Sequence, residues 1–277
     1  MSSICTAPTY IMKELNNMFI ELTQKNCNQR CKNCYLTFSM EKSPKDFISI
    51  DMIKNAIADT KSDNLQCIYL TGAEPMTHPD FNAILRLCLK RCNVCICTNA
   101  SFLNEKKVRF LSKVESEGNN QIIFRVSLVH FDEMENDKIK YRGNYRQTIF
   151  ALKTLSQYNF NSILAIQNYY KLSEDILTDN FMKIFEENNI SNTDITINCS
   201  YPNFDDDNFV KASDLTDCMN GRILTGKGIY ACPFLAGDYR GRCGSTFSDY
   251  SKFVTAESEF CATCSKNNHP IFSVNLV

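Results

Sequence analysis

Three cysteines in one short loop constrain this chain more than any other feature of its sequence. Cys27, Cys31 and Cys34 form a C-x3-C-x2-C array directly after the apolar run from Met18 to Thr23. Thiolates so close together can ligate one inorganic cluster, and three of them leave one iron of a [4Fe-4S] cube without a cysteine ligand. Zinc is the alternative, but a closed structural zinc site takes four ligands, and the array supplies three. The spacing therefore favours a cluster over zinc.

A second motif, Thr71-Gly72-Ala73-Glu74-Pro75, follows the cysteine array. Together the two motifs resemble the radical S-adenosylmethionine (radical SAM) superfamily, with residues 16–200 as the core. The resemblance implies that the open iron binds the amino and carboxylate groups of S-adenosylmethionine. It also implies that the reduced cluster cleaves this cofactor to a 5′-deoxyadenosyl radical, which abstracts a hydrogen atom from substrate.

Length and composition limit what can surround such a site. The chain has 277 residues and 44% hydrophobic residues, enough for a core of about 200 residues plus an appendage. No apolar run is long enough for a membrane span, and Met1 to Lys13 lacks the features of a signal peptide. We expect a cytoplasmic protein with reduced thiols. Because 30 basic residues balance 31 acidic ones, we expect no nucleic-acid partner.

Short apolar runs alternate with segments of helical periodicity between residues 17 and 200. The predicted strands are Met18 to Thr23, Cys67 to Thr71, Val94 to Thr98, Ile122 to Leu128, Ser162 to Gln167 and Asp194 to Cys199. Amphipathic helices follow the first five strands, which predicts a parallel sheet with helices outside. Periodicity leaves an open sheet and an incomplete barrel as alternatives. The resemblance implies a partial (β/α)6 barrel over residues 17–200, preceded by an N-terminal extension of residues 1–16.

The predicted motifs follow consecutive strands. The cysteine array follows the first strand, Gly72 to Pro75 follow the second, and Asn99 follows the third. Ligands of parallel α/β folds bind at the carboxyl ends of the strands, so we expect these residues on one rim. The resemblance implies that the backbone of Gly72 and Ala73 and the carboxylate of Glu74 bind the amino group of the cofactor. Ala73 replaces the second glycine of the family motif.

The resemblance also suggests further cofactor contacts. Ser127 and Asn168 lie at the ends of two later strands, and Arg142 precedes a helix, where it would pair with the cofactor carboxylate. Ordinary polar loop residues are the alternative at each position. Many family members have an aromatic residue before the third cysteine, in contact with adenine. Here that position is Asn33, and Tyr35 follows the array.

A second C-x3-C-x2-C array consists of Cys88, Cys92 and Cys95, with Cys97 beyond it. Cys88 lies on the inward face of a predicted helix, whereas Cys95 and Cys97 lie in a strand, so their thiols should point into different layers. We therefore interpret this array as packing residues. Cys5, Cys67 and Cys199 have the same interpretation.

Residues 201–277 are expected to form a small C-terminal domain organised by metal. This stretch contains six of the nine glycines and five cysteines, and little apolar sequence. It resembles a twitch or SPASM domain with one auxiliary [4Fe-4S] cluster, and a zinc knuckle is the alternative. The ligands implied are Cys218, Cys232, Cys261 and Cys264. Cys243 remains, either as a hydrogen-atom donor to a substrate radical or as a packing residue.

The predicted activity is hydrogen abstraction from a small-molecule or peptide substrate, leading to oxidation, dehydrogenation or epimerisation. The electron would come from a reducing partner such as flavodoxin or ferredoxin. One alternative is a maturase that cross-links a ribosomally made peptide. An alternative of another class is an iron–sulfur electron carrier or a zinc-organised binding protein without radical chemistry. The glutamate turn disfavours the carrier, because a carrier needs no site for a cofactor ammonium group.

Overall fold

Parallel strands alternate with helices along most of the chain. The structure is a computed structural model and describes residues 9–36, 46–61, 63–199, 221–258 and 260–261. The strands are β1 (Thr9–Ile11), β2 (Asn17–Thr23), β3 (Cys67–Gly72), β4 (Asn93–Thr98), β5 (Ile122–Leu128), β6 (Asn161–Asn168), β7 (Thr193–Cys199), β8 (Gly221–Thr225), β9 (Gly228–Tyr230), β10 (Arg242–Thr246), β11 (Asp249–Tyr250) and β12 (Phe253–Thr255). The helices are α1 (Ile50–Asp59), α2 (Phe81–Leu89), α3 (Glu105–Glu115), α4 (Glu133–Ile139), α5 (Asn144–Gln157) and α6 (Glu174–Asn188). Across these residues, no helix is both long and apolar enough to cross a bilayer.

The six predicted strands are confirmed as β2 to β7. They lie side by side in chain order and pair in parallel, as expected when a helix returns the chain after each strand. The helices predicted after the first five strands correspond to α1, α2, α3, α5 and α6. Helix α4 was not predicted. Its start carries a clear signal, because the side chain of Asp132 accepts a hydrogen bond from the N–H of Glu135 at 3.0 Å.

The C-terminal segment continues the same sheet. Strand β8 pairs in parallel with β2 and adds a seventh parallel strand, and β9, β10 and β11 extend the edge in antiparallel order. Near the N-terminus, β1 pairs antiparallel with β12. The extension and the C-terminal segment therefore touch each other as well as the barrel core. The domain boundaries at residues 16 and 200 stay predictions.

Two apolar layers flank the sheet. The larger layer lies between strands and helices and includes Ile20, Leu70, Leu85 and Leu111. The smaller layer contains inward residues from seven strands: Phe19, Cys67, Tyr69, Cys95, Ile123, Ile163, Ile223 and Tyr230. Side chains from strands so far apart in the sheet order meet because the sheet curves around them. The predicted partial barrel is confirmed, with helices on its outer face.

Side chains in the loops fix where the helices begin. Ser49, Asn104 and Ser173 each accept a hydrogen bond from the backbone N–H three residues later, at the starts of α1, α3 and α6. Each such cap contributes about 1 kcal/mol. Because these loops follow the carboxyl ends of the strands, the caps also stabilise the rim that carries the candidate site.

Candidate active site

One pocket opens at the carboxyl ends of β2 to β7. The loop after β2 contributes Cys27, Gln29, Cys31, Asn33, Cys34, Tyr35 and Leu36 to its lining. The end of β3 and the turn after it contribute Thr71, Gly72 and Ala73. Later elements contribute Cys97, Thr98, Asn99, Arg125, Ser127, Lys140, Ala165, Gln167 and Asn198. The cysteine array, the glycine turn and Asn99 therefore share one cavity at the rim.

Hydrogen bonds hold the cysteine loop against its neighbours. The carboxylate of Asp46 accepts from the N–H of Lys25 at 2.6 Å and from the hydroxyl of Thr23. Further along, the side-chain amide of Asn99 donates to the sulfur of Cys27 at 3.6 Å. The N–H of Lys32 donates to the carbonyl of Ile139 at 2.8 Å. The loop is thus anchored at both ends and beside its first thiol.

The three thiols are free and influence one another. Burial raises the pKa of Cys27, Cys31 and Cys34, in the last case to about 11. Ionisation of Cys31 would raise the pKa of both Cys27 and Cys34 further, because the three groups are neighbours. The three sulfurs are not arranged as the ligands of a single metal ion. Within the described ranges, no other group of three or more His, Cys, Asp or Glu side chains is arranged in that way. The donor set suits iron, which binds thiolates and displaces their protons.

Gly72 brings the turn after β3 against the cysteine loop. Its φ is +114°, and a Cβ atom built there would lie 2.3 Å from the carbonyl oxygen of Thr23. The N–H of Ala73 donates to that same oxygen at 2.7 Å. The N–H of Glu74 donates to the carbonyl of Asn26 at 3.1 Å. Glycine is therefore required at position 72 on two grounds, backbone conformation and close approach.

The carboxylate of Glu74 turns away from the pocket into the wall behind it. It accepts hydrogen bonds from the N–H of Met76 at 3.1 Å, the hydroxyl of Thr98 at 3.0 Å and the N–H of Asn99 at 2.9 Å. The side chain is fully buried, and burial raises its pKa to about 7. Pro75 begins the short 3-10 turn that Glu74 caps. The structure thus gives Glu74 a role in shaping the turn, whereas Gly72 and Ala73 face the cavity.

The cation that lines the pocket after α4 is the half-buried Lys140, whereas the predicted cation was Arg142. Lys140 follows α4 and donates from Nζ to the hydroxyl of Ser127 at 2.8 Å. Burial lowers the pKa of Lys140, and its charge acts on the three thiols of the array. Arg142 is exposed beyond this point and is not part of the pocket lining. The chain turns inward at residue 140 and outward again before residue 142, which sequence spacing did not indicate.

On β6 the pocket residue is Gln167, not the predicted Asn168. Gln167 and Ala165 face the cavity, and Gln167 accepts a hydrogen bond from the side-chain amide of Asn33. Asn168 instead bonds the backbone of Leu172 through both ends of its amide, at 2.6 and 2.9 Å. The reason is the alternation of a strand, which places neighbouring side chains on opposite faces.

An aromatic contact joins the cysteine loop to the C-terminal segment. Tyr35 lines the pocket and meets the ring of Phe234 edge-on, with ring centroids 5.2 Å apart. Phe234 in turn stacks on Phe260 at 4.9 Å. These rings bring together the chain segments that carry Cys232 and Cys261. The other two predicted ligands, Cys218 and Cys264, lie outside the described residues.

Cys243 lies away from the pocket, on β10. Its thiol is buried in the layer behind the sheet, donates to the carbonyl of Gly241 at 3.5 Å and neighbours Arg222. It is not part of the pocket lining. This placement supports packing, the second of the two roles considered for Cys243, rather than hydrogen donation.

The second cysteine array divides between layers, as its pattern indicated. Cys88 and Cys92 pack between helix and sheet, whereas Cys95 packs inside the barrel with Cys67. Cys97 also faces inward and reaches the floor of the pocket. Cys5 lies outside the described residues, and the side chain of Cys199 is likewise not described.

Sequence reasoning missed one buried acid near the site. Glu21 lies on β2, opposite Thr71 in the ladder with β3, and is 4% exposed. Burial raises its pKa to about 7, a hydrogen bond with Gln24 opposes this shift, and nearby Asp46 adds to it. The available signal was a single charged residue in a mostly apolar strand.

We expect Glu21 to make the protein less stable as pH rises. Because the folded protein binds this proton more tightly than the unfolded chain, its contribution is complete below pH 4.5 and is lost as pH rises to about 7. Glu21→Gln should remove up to about 3 kcal/mol of this dependence in denaturant unfolding. In this variant Glu74, whose pKa is also raised, still contributes to the pH dependence of stability with the same sign. Glu186→Gln, at an exposed position, is the control. An unchanged pH profile in Glu21→Gln would contradict the assignment.

Comparison with known proteins gives one family. The family model described as the radical SAM superfamily matches residues 22–176, more than half of the chain. A search of curated proteins found no match.

Solved structures share the fold at low sequence identity. SuiB from Streptococcus suis, bound to S-adenosylmethionine, has a TM-score of 0.62 at 14% identity, covering 83% of this chain and 63% of SuiB. The protein anSMEcpe with bound AdoMet has a TM-score of 0.63 at 13% identity, covering 93% of this chain and 84% of the other. This chain therefore spans less than two thirds of the length of SuiB. At these identities the similarity concerns the fold.

Proposed function

Because this chain belongs to the radical SAM superfamily, whose members bind a [4Fe-4S] cluster and S-adenosylmethionine, we propose that it is a radical SAM enzyme. Cys27, Cys31 and Cys34 would ligate three irons of the cluster. One observation carries the proposal: the three thiols, the Gly72 turn and the ammonium group of Lys140 meet in one cavity. An iron–sulfur carrier or a zinc-organised binding protein has no use for this combination.

The residues around the thiols have distinct tasks. When bound and reduced, the cluster supplies the electron that cleaves S-adenosylmethionine to a 5′-deoxyadenosyl radical, which takes a hydrogen atom from substrate. Gly72 and Ala73 bring the backbone to the cavity. A backbone carbonyl oxygen there would accept a hydrogen bond from the ammonium group of the cofactor. Asn99 positions Cys27 through its amide. Tyr35, whose ring lines the cavity, is the aromatic residue available to adenine, since Asn33 is bonded to Gln167.

Lys140 would bind the cofactor carboxylate in place of Arg142. Its Nζ is held by Ser127 and lies close enough to the thiols for their charges to interact. An ammonium at this position stabilises the negative charge of a carboxylate that binds beside the cluster. Asn168, which is bonded to Leu172, has no task in this proposal.

Lys140→Gln should weaken the binding of S-adenosylmethionine about 30-fold, because a charge-assisted hydrogen bond is lost in a half-buried site. Equilibrium binding to the reconstituted protein measures the effect. Arg142→Gln removes a cationic side chain two residues away that is exposed, and it should bind the cofactor normally. If the two variants weakened binding equally, or Arg142→Gln more strongly, the carboxylate site would be misplaced.

We also propose one auxiliary [4Fe-4S] cluster, ligated by Cys218, Cys232, Cys261 and Cys264. The described part of this set supports the idea, since the stacked rings of Phe234 and Phe260 hold the segments of Cys232 and Cys261 together. The ring of Tyr35 links them to the first cysteine loop. An auxiliary cluster near the radical site would supply an acceptor for the electron that a substrate radical gives up when it is oxidised to the product.

The reaction proposed is hydrogen abstraction from a small-molecule or peptide substrate, ending in oxidation or dehydrogenation, or in epimerisation. The packing position of Cys243 keeps that thiol out of the proposed reaction. A flavodoxin or ferredoxin would supply the electron.

Anaerobic turnover tests the proposed activity. The protein is reconstituted with iron and sulfide, reduced, and incubated with S-adenosylmethionine. We expect 5′-deoxyadenosine and methionine in equal amounts, and none without reductant. A protein that binds its cluster stably but forms no 5′-deoxyadenosine would be a carrier.

A further inference from the structure

Gln29 lies between the first two cysteines of the array and contacts both thiols. Its backbone N–H donates to the sulfur of Cys27 at 3.4 Å. Its side-chain oxygen accepts from the thiol of Cys31 at 3.8 Å. The side chain lines the cavity and is only 2% exposed. The wall of the candidate cluster site therefore contains a buried glutamine against two of the three sulfurs.

A chain of buried amides fixes the direction of the Gln29 side chain. It begins at Asn136, whose oxygen accepts from the backbone N–H of Val129 and whose Nδ2 donates to the carboxylate of Asp137, both at 3.1 Å. Because a backbone N–H can only donate and a carboxylate can only accept, this amide cannot be reversed. Asn136 then donates to the oxygen of Asn144 at 3.0 Å, and Asn144 donates to the oxygen of Gln29 at 3.4 Å. The oxygen of Gln29 is therefore held toward Asn144.

This orientation leaves the Nε2 group of Gln29 as a donor to the cavity. Both side-chain hydrogen bonds of Gln29 use its oxygen, and Nε2 donates to no group in the part of the chain that the structure describes. The bond from Cys31 requires a protonated thiol, so it is lost when Cys31 binds iron as a thiolate. A buried donor without an acceptor is unfavourable. An acceptor that binds in the cavity beside Cys31 would therefore complete the hydrogen bonding of Gln29.

We propose that Gln29 donates a hydrogen bond from Nε2 to a sulfur atom of the bound cluster, thiolate or sulfide, and thereby raises the reduction potential of the cluster. Asn144 and Asn136 are positioning residues for this donor. The inference rests on the proposed function, because it assumes that the three thiols hold a cluster. Reduction adds negative charge that the sulfur atoms share, so an N–H donor stabilises the reduced cluster more than the oxidised one. Burial strengthens this effect, because the local dielectric constant is low.

A redox titration measures this effect without knowledge of the substrate. The parent protein is the full chain without Cys232 and Cys261, reconstituted anaerobically with iron and sulfide, so that one cluster is titrated. Electron paramagnetic resonance follows the reduced cluster. Gln29→Met keeps the length of the side chain but removes its donor. The equilibrium constant for reduction should fall about tenfold, which corresponds to about 59 mV for a one-electron couple.

Two further variants complete the test. Asn144→Ala keeps Gln29 but removes its anchor, so the equilibrium constant should fall about threefold. Gln147→Met, at an exposed position on α5, is the matched control and should leave the constant unchanged.

The outcomes separate this proposal from the proposed function. A cluster whose potential is the same in Gln29→Met and the parent, or falls equally in Gln147→Met, would overturn the role of Gln29 alone. If Gln29→Met did not retain its iron, Asn144→Ala would decide: a lower potential supports the proposal, and an unchanged potential overturns it. A parent protein that bound no [4Fe-4S] cluster would overturn the proposed function, and this inference with it.

Discussion

Cys31→Ala is expected to purify, after anaerobic reconstitution, with about four fewer iron atoms per chain than the wild type. Two thiolates are too few ligands to retain the [4Fe-4S] cluster. The variant therefore loses the open iron and, with it, the cofactor site. Formation of 5′-deoxyadenosine should fall at least about 100-fold, in line with the loss of an essential metal ligand. Because Cys31 is only partly buried, its replacement leaves the barrel core intact.

The second cysteine array provides the matched control for this experiment. Cys95 is the third cysteine of the same C-x3-C-x2-C spacing but packs inside the barrel. Cys95→Ala should keep the full iron content, with some loss of stability from the smaller side chain. Equal iron in Cys31→Ala and the wild type, or a loss of iron in Cys95→Ala, would contradict the assignment of the two arrays.

Gly72→Ala is expected to lower the stability of the protein by about 3 kcal/mol, and Tm by about 8 °C. The added methyl group would lie 2.3 Å from the carbonyl oxygen of Thr23, and alanine would be forced to a φ of +114°. Relief requires the turn to move from the cysteine loop, so the hydrogen bond from Ala73 to Thr23 would also be strained. Binding of S-adenosylmethionine should weaken as well. Thermal unfolding and cofactor titration measure the two effects.

Gly118→Ala is the control, because nothing lies within 4 Å of a Cβ atom at that position. Its Tm should stay within about 1 °C of the wild type. If Gly72→Ala were equally mild, the close approach of the turn to the cysteine loop would be wrong.

The barrel itself was predictable because its pattern repeats. Each strand from β2 to β6 is a short apolar run followed by residues of helical period, and β7 ends the series, so the connections had to be crossovers and the sheet parallel. Strand β8 was not predictable in this way. Its five residues, Gly221–Thr225, are followed by a glycine-rich turn and no helix, and only the pairing with β2 reveals them as a barrel strand.

The site was predictable where local sequence determines it. The cysteine loop and the Gly72 turn carry their chemistry within a few residues, and both line the cavity. Contacts supplied by distant elements were not predictable from spacing. Lys140 reaches the thiols only because α4, an unpredicted helix, ends beside the cysteine loop. Strand alternation places Gln167 in the pocket and Asn168 outside it. This alternation is present in the sequence, but the prediction of Asn168 came from the family resemblance and did not take it into account.

Electron paramagnetic resonance of the reduced protein tests the central claim most directly. The sample should be a variant without the auxiliary cysteines Cys232 and Cys261, so that one cluster gives the signal. Addition of S-adenosylmethionine labelled with ¹⁷O in its carboxylate should change the spectrum and introduce hyperfine coupling to the cluster, which requires a cofactor oxygen on the open iron. A cluster signal that stays the same on addition of the cofactor, without coupling, would contradict an open iron ligated by Cys27, Cys31 and Cys34.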